Sequence, residues 1–253
     1  DLFTETRIGQ CLEQLNSILA QAVTAPDRAI DQYSLVTPTS RSVLPDPAAS
    51  LGDDWRGTVQ ESVSRQARRA GERLALAEAG SDWTYRQLDD QSSRLANLLL
   101  LRGIQRGEVV AIYAERRAVL AVALLGVLKA GAVFVILDPA YPVLRLCDYL
   151  RIAKPKGWLQ LESANELPAE LAAFLDDAHL DCRIQLPAAQ RALAPFLSEY
   201  PTTTPAIAFG ADDPAYIAFT SGSTGEPKAV LGRHGPGRRR GRCCGEFFSA
   251  AIP

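Results

Sequence analysis

Two short runs, Val109-Val110-Ala111-Ile112-Tyr113 and Val133-Phe134-Val135-Ile136-Leu137, are apolar at every position, and a long apolar stretch from about Ala118 to Ala130 separates them. A strand with no polar face must be covered on both sides, which an all-antiparallel sheet with one wet face does not do. The stretch between them is of helical length, and Gly131 follows it in the place where glycine ends helices. Strands alternating with helices, and apolar on both faces, predict an α/β chain with helices packed on largely parallel sheets.

The rest of the chain fits this layout. Ile8, Cys11, Leu12, Leu15, Ile18, Leu19 and Ala22 follow helical spacing, so residues 6–23 predict an amphipathic helix, stopped by Ala25-Pro26. Residues 36–57 lose all period, hold Pro38, Pro45, Pro47 and Gly52, and read as a linker. Thr58 with Glu61, and Thr84 with Gln87, have the spacing of capping boxes and predict two helix starts. The first helix runs to about Gly71; the second passes through Leu88, Leu95, Leu98 and Leu99 and stops at Gly103. Strands are expected at 74–77, 158–161, 182–186 and 215–220, and a helix from about Pro142 to Ala153.

Composition narrows the classes. With 47% hydrophobic and 22% charged residues the chain has enough apolar material for a core, and its net charge of -2 gives no reason to expect nucleic acid or an anionic membrane as partner. No apolar run spans a bilayer and no secretory signal opens the chain, which places it in the cytoplasm as an expectation. Cys11, Cys147 and Cys182 stand singly in apolar patterns and read as core packing in a reducing compartment; Cys243-Cys244 has no second pair at zinc spacing, so no metal site is expected. The sequence holds no methionine and opens mid-stream, as a segment cut from a longer polypeptide would.

Chemistry is concentrated where the strand Ala215-Tyr216-Ile217-Ala218-Phe219 runs into Thr220-Ser221-Gly222-Ser223-Thr224-Gly225-Glu226-Pro227-Lys228. Glycines let amides approach and point at phosphate oxygens, four hydroxyls add donors, and Lys228 adds a positive charge. By composition alone such a stretch is more often a solvated linker. It is not a Walker loop either, since Pro227 precedes the lysine and Ala229 follows it. The strand before it and the lysine behind it favour a phosphate cradle.

The run "YIAFTSGSTGEPKAV" resembles the phosphate-loop signature of the adenylate-forming superfamily, which includes acyl-CoA synthetases, luciferases and the adenylation domains of nonribosomal peptide synthetases. "LLGVLKAGAVFVILDPAYP" and "WTYRQLDDQSSRLANLL" resemble two further core motifs of the peptide-synthetase adenylation domains, in the family's order, and "DLFTETRIGQCLEQLNSILAQAVTAPDRAI" looks like the end of a condensation domain. The resemblance implies the partial N-terminal subdomain of the adenylate-forming fold, with residues 1–35 the end of a condensation-like domain, 36–57 the linker, and 58–236 the front of the adenylation domain. It implies that Thr220, Ser221, Gly222, Ser223, Thr224, Gly225 and Lys228 hold the β- and γ-phosphates of ATP, with Mg²⁺ screening the triphosphate. The reaction implied is attack of an amino-acid carboxylate on the α-phosphorus, then transfer to the phosphopantetheine thiol of a carrier domain in secondary-metabolite assembly. Carrier and condensation domains would be the partners, with no nucleic acid and no membrane. "LGRH" and the linker around "VLPDP" also resemble the aminoadipate-reductase branch.

The two upstream motifs are expected to build core rather than touch ligand. Lys129 reads as a solvated cation at a helix end, Asp138 as a turn former, and His179 and His234 as histidines without a visible partner. Two departures stand out. Ala229 replaces the family's glycine after the motif lysine, which matters only if that backbone needs positive φ. After "GRHGP" the chain turns to "GRRRGRCCGEFFSAAIP", so 237–253 reads as an unrelated basic tail from a frame slip, with a basic targeting or nucleic-acid tail as the rival. The rivals for function are an acyl-CoA ligase or aminoadipate/carboxylic-acid reductase of the same superfamily, or a truncated, non-enzymatic product; the segment alone is expected to be inactive, lacking the second wall of the active site.

Overall fold

A computed structural model describes residues 4–42, 44, 55, 57–78, 81–164, 166–221 and 227–235. The chain divides into two compact units, Asp1–Gly52 and Asp53–Pro253.

The first unit is built on helix α1, Glu5–Thr24, capped by the Thr4 hydroxyl, which accepts from the Arg7 amide. No residue of α1 is buried. Its apolar stripe (Ile8, Leu12, Leu15, Leu19 and Val23) is exposed, and so is Cys11, which corrects the expectation that Cys11 packs in a core. The chain then folds back along α1: Gln21 Nε2 donates to the Ser34 carbonyl at 2.9 Å, and the Ser34 amide donates to Gln21 Oε1 at 3.0 Å. Within the stretch expected to be aperiodic, Pro38–Arg41 form one helical turn, α2. A Thr37–Ser40 capping box closes it, a polar device that an apolar-period search does not register.

The second unit opens with α3, Val59–Ala70, and continues through a two-stranded antiparallel ribbon, β1 (Leu74–Leu76) and β2 (Trp83–Thr84), into α4, Tyr85–Leu101. Both expected capping boxes are present, Thr58 with Glu61 and Thr84 with Gln87; such a cap is worth about 1 kcal/mol. Then come β3 (Val109–Tyr113), α5 (Ala118–Lys129), β4 (Val133–Leu137), α6 (Val143–Ala153), β5 (Gly157–Leu161), α7 (Ala169–Asp177), β6 (Cys182–Leu186), α8 (Gln190–Phe196), β7 (Pro214–Ser221) and β8 (Pro227–Arg233). The helices α7 and α8 and the strands β2 and β8 are additions to the elements that the sequence predicts. Each is short or carries no clean apolar period, so tertiary contacts decide it.

The six strands β3–β8 form one sheet in the order β6-β5-β3-β4-β7-β8. All neighbouring pairs are parallel except the last, where β8 returns antiparallel on β7. Successive residues of β3 point to opposite faces. Val110 and Ile112 join a core with α4, α5 and Leu193 of α8; Ala111 and Tyr113 join a second core with α6 and α7. Helices therefore cover both faces of the sheet, and the layered α/β fold with largely parallel strands is as the sequence predicts. The helix ends also follow expectation: Gly103 and Gly131 carry φ of +93° and +76°, conformations that glycine enters without a Cβ clash.

One region departs from the pattern. The motif strand β7 is covered on one face alone: Ala215 and Ile217 of its central run are buried, whereas Tyr216 and Ala218, on the alternate face, are exposed. No described helix lies over that face of the hairpin, where Ile136 of β4 is also exposed.

Candidate functional site

The phosphate-loop motif straddles the β7–β8 hairpin. Thr220 and Ser221 are the last residues of β7, and Lys228 is the second residue of β8. Thr220 pairs with Lys228 and Ser221 with Pro227, so the strands bring the two ends of the motif together. The Thr220 hydroxyl donates to the Lys228 carbonyl at 3.5 Å. Gly222, Ser223, Thr224 and Gly225, the middle of the expected cradle, lie outside the described residues. Lys228 belongs to a strand rather than to the loop. Its neighbour Ala229 pairs with Phe219 and takes no positive φ; among described non-glycine residues only Lys154 does. The glycine that the family carries is thus not demanded by the backbone at position 229.

The hairpin's location matters chemically. After β3 the chain crosses over by α5 on one face of the sheet; after β4 it crosses by α6 on the other. Strand order reverses there, and in open α/β sheets ligands bind in the crevice outside the carboxyl ends of strands at such a point. An open cleft of ≈ 360 Å³ occupies it, lined by Ala114 and Arg116 beyond β3, Asp138 and Tyr141 beyond β4, and Ala218 and Phe219 of β7. Because β7 runs parallel to β4, the motif leaves the sheet at this same edge.

Several side chains at this edge escaped sequence reasoning. The Tyr149 ring of α6 stacks face to face on Phe219 at 3.9 Å between centroids, 3° between planes. The Arg145 guanidinium, one helical turn before Tyr149, lies 5.8 Å from the Tyr141 ring centroid and 5.9 Å from that of Tyr149. The signal was legible as i, i+4 spacing of Arg145 and Tyr149, which places both on one helix face. Asp138 shapes the turn, as expected: its carboxylate accepts from the Ala140 amide at 2.9 Å and its carbonyl from the Tyr141 amide at 3.0 Å. Its charge also raises the Tyr113 phenol above its ordinary range, second to the effect of burial.

Lys129 overturns its expected role. Far from being solvated, it is 1% exposed. Its ammonium donates to Asp89 Oδ1 at 2.7 Å, to the Asp89 carbonyl at 2.9 Å and to Ser93 Oγ at 2.9 Å. Ser64 of α3 donates to the same carboxylate oxygen at 2.5 Å, and Ser93 shares a hydrogen bond with Thr204. Burial lowers the Lys129 pKa and the Asp89 contact opposes that. We take the amine as protonated, because it makes three donor contacts, one of them to a carboxylate. The reason for the correction is topological: α5 runs back to the amino edge of the sheet, where α3, α4 and the segment before β7 close over its last turn. A buried ion pair with every proton placed fastens the two upstream motifs to each other, at the edge opposite the cleft.

The histidines stay outside the site. His179 is exposed. His234 follows β8 at the far end of the hairpin, its ring edge-on to Phe209 at 5.1 Å, with burial depressing its pKa and Asp213 partly opposing. Among the described residues no group of three His, Cys, Asp or Glu side chains could hold a metal ion, and no helix is long and apolar enough to cross a membrane. Cys147 and Cys182 are buried thiols, as expected, and burial raises both pKa values. Cys243, Cys244 and the rest of the basic tail lie outside the described residues.

Comparison with known proteins agrees with this architecture. Residues 63–237 match the family model described as AMP-binding enzyme. The chain is 37% identical to the L-2-aminoadipate reductase large subunit of Penicillium chrysogenum over 92% of its own length, which is 18% of that protein. It is 34% identical to a linear gramicidin synthase of Brevibacillus parabrevis, again over 92% of this chain but 3% of that one. The N-terminal subdomain of Klebsiella oxytoca NpsA, solved with 3-hydroxybenzoyl-AMSN, superposes with a TM-score of 0.56 at 28% identity, covering 70% of this chain and 41% of that one. With the family match spanning most of its length and with its sheet built as in that subdomain, the chain belongs to the AMP-binding, adenylate-forming enzyme family and carries the N-terminal part of its fold.

Proposed function

We propose that this segment is the phosphate-binding half of an enzyme that activates an amino-acid carboxylate with ATP, as an aminoacyl-adenylate bound for a phosphopantetheine thiol. The observation that carries it is the Thr220–Lys228 strand pair at the carboxyl edge of the sheet, beside the switch-point cleft. Thr220, Ser221 and Lys228, with the intervening Gly222, Ser223, Thr224 and Gly225, hold the β- and γ-phosphates. Seven register pairs hold the backbone that carries Lys228, whose ammonium supplies positive charge where pyrophosphate departs. Charge neutralisation and positioning are what such a transfer asks of the protein. Mg²⁺ held on the nucleotide's phosphate oxygens, its usual mode of binding, would supply further charge neutralisation beside Lys228.

Within that reading, α-aminoadipate is the first acid to try. Five L-2-aminoadipate reductases match 92% of this chain at 34–38% identity. A peptide-synthetase module is the second, on the strength of the gramicidin and chondramide synthases matched at 34% identity. In either case the partner is a carrier domain of the same polypeptide, and the start at 1–35 as the end of a condensation-like domain fits both. Because the chain spans 18–19% of the reductases it matches, the reaction is tested on the longer polypeptide that contains this sequence. ATP–pyrophosphate exchange over an amino-acid panel should rise with one acid and fall to background with Lys228→Ala. Exchange driven by fatty or aryl acids but by no amino acid would move the protein to the acyl-CoA ligase class.

A further inference from the structure

We propose that Arg145 is a second phosphate-binding residue, a guanidinium set beside the Thr220–Lys228 strand pair to hold a polyphosphate: the tail of a nucleoside triphosphate or free pyrophosphate. The proposal rests on the reading of residues 220–228 as a phosphate site.

Arg145 is placed against the interest of its own helix. It lies in the first turn of α6, whose N-cap is Pro142 and which has no side-chain cap and no acidic residue in that turn. A cation there meets the positive end of the helix dipole and costs stability rather than adding it. Nor, among the described residues, does a carboxylate pair with it. Arg151, on the same helix, pairs with Asp148 at 2.6 Å, and Arg183 pairs with Asp176 at 2.7 Å. Arg145 has no such partner among the described residues, and the nearby Asp138 spends its carboxylate on the Ala140 amide. What holds Arg145 is the pair of ring faces of Tyr141 and Tyr149. Ring faces steady a guanidinium and leave its N–H edge free, and that planar fork matches phosphate oxygens two at a time.

The geometry sets it at the height of the motif. Tyr149 is stacked on Phe219, which fixes α6 against β7. Arg145 sits one helical turn nearer the carboxyl edge of the sheet, about 6 Å along the helix axis. Moving from Phe219 to Ser221 along β7 covers about 7 Å in the same direction. Arg145 is therefore level with the Ser221–Pro227 pair, where the motif leaves the sheet. The first turn of α6, which has no side-chain cap, adds to the same positive field.

Calorimetric titration of the longer polypeptide that contains this sequence with Mg-ATP, and separately with inorganic pyrophosphate, tests this directly. Arg145→Gln should weaken both ligands roughly tenfold or more, as loss of a charge-assisted contact does. Arg145→Lys should recover part of that loss, and Arg151→Gln should bind like the wild type. The melting temperature should not fall with Arg145→Gln, since a cation is removed from the wrong end of a helix. If Arg145→Gln binds both ligands as tightly as wild type while Lys228→Ala does not, the Arg145 proposal fails and the phosphate-site reading survives. If the wild type binds neither ligand, both fail. If Arg145→Lys is as weak as Arg145→Gln and both melt early, Arg145 is a structural residue and the proposal is overturned.

Discussion

The α4–α5 helix pair and the β7–β8 hairpin both carry long stretches that mark the family, but they are built in opposite ways. At the helix pair the charged and hydroxyl groups bond one another: Lys129, Asp89, Ser93 and Ser64 are joined by hydrogen bonds and largely shielded from water. The packing is close enough that a Cβ on Gly126 would stand 2.7 Å from Leu95 Cδ2. In the hairpin, Tyr216, Ala218 and Thr220 face outward along one side, and Lys228 is exposed. A sequence motif marks a place where substitution is constrained, and the constraint has two physical sources. Where donors are paired and side chains sealed, the motif is framework; where donors stand open at a carboxyl edge, it is available for a ligand.

That contrast can be broken by substitution. The largest effect should come from Lys129→Met, which strands a mostly buried carboxylate on Asp89: breaking a buried pair costs about 3–5 kcal/mol. Urea denaturation would measure it, and a loss near zero would mean the pair is not the fastening described. Gly126→Ala should follow, at about 1–3 kcal/mol for overpacking against Leu95, read in the same experiment. A smaller effect concerns the base of the hairpin. Burial holds the folded pKa of His234 below the ordinary 6.5. The neutral ring is therefore the form that the fold favours, so stability should be full above that value and fall as pH drops through the folded pKa. His234→Gln should flatten this part of the stability–pH curve; an unchanged slope would assign it to another group.

Much of the framework was legible because it is periodic. The strands β3 and β4 are apolar at each position and α5 lies between them, so their layering follows from burial alone. Both capping boxes and the glycines that end α4 and α5 announce themselves by residue type and spacing. What was not legible depends on residues far apart in sequence. Lys129 looks like any helix-end lysine until Asp89, 40 positions away, is brought against it. The strand β8 has no alternation of its own and exists because β7 offers it an edge. The openness of β7 was hidden because an apolar strand in sequence does not say which of its faces is covered. At the site, the motif residues were found by type and order, whereas the Tyr141–Arg145–Tyr149 cluster depends on Phe219 being stacked beneath it. For Gly222, Ser223, Thr224 and Gly225 the assignment rests on the sequence motif, since they lie outside the described residues.

The most direct measurement compares Lys228→Ala with wild type in two assays on the same preparation, Mg-ATP binding by titration calorimetry and stability by urea denaturation. An exposed strand lysine with no ion-pair partner among the described residues should change stability by no more than about 0.5 kcal/mol, while its loss should weaken Mg-ATP binding roughly tenfold or more. Equal binding by the two proteins would contradict a phosphate site at the hairpin. A large loss of stability in the variant would contradict the division between framework and site.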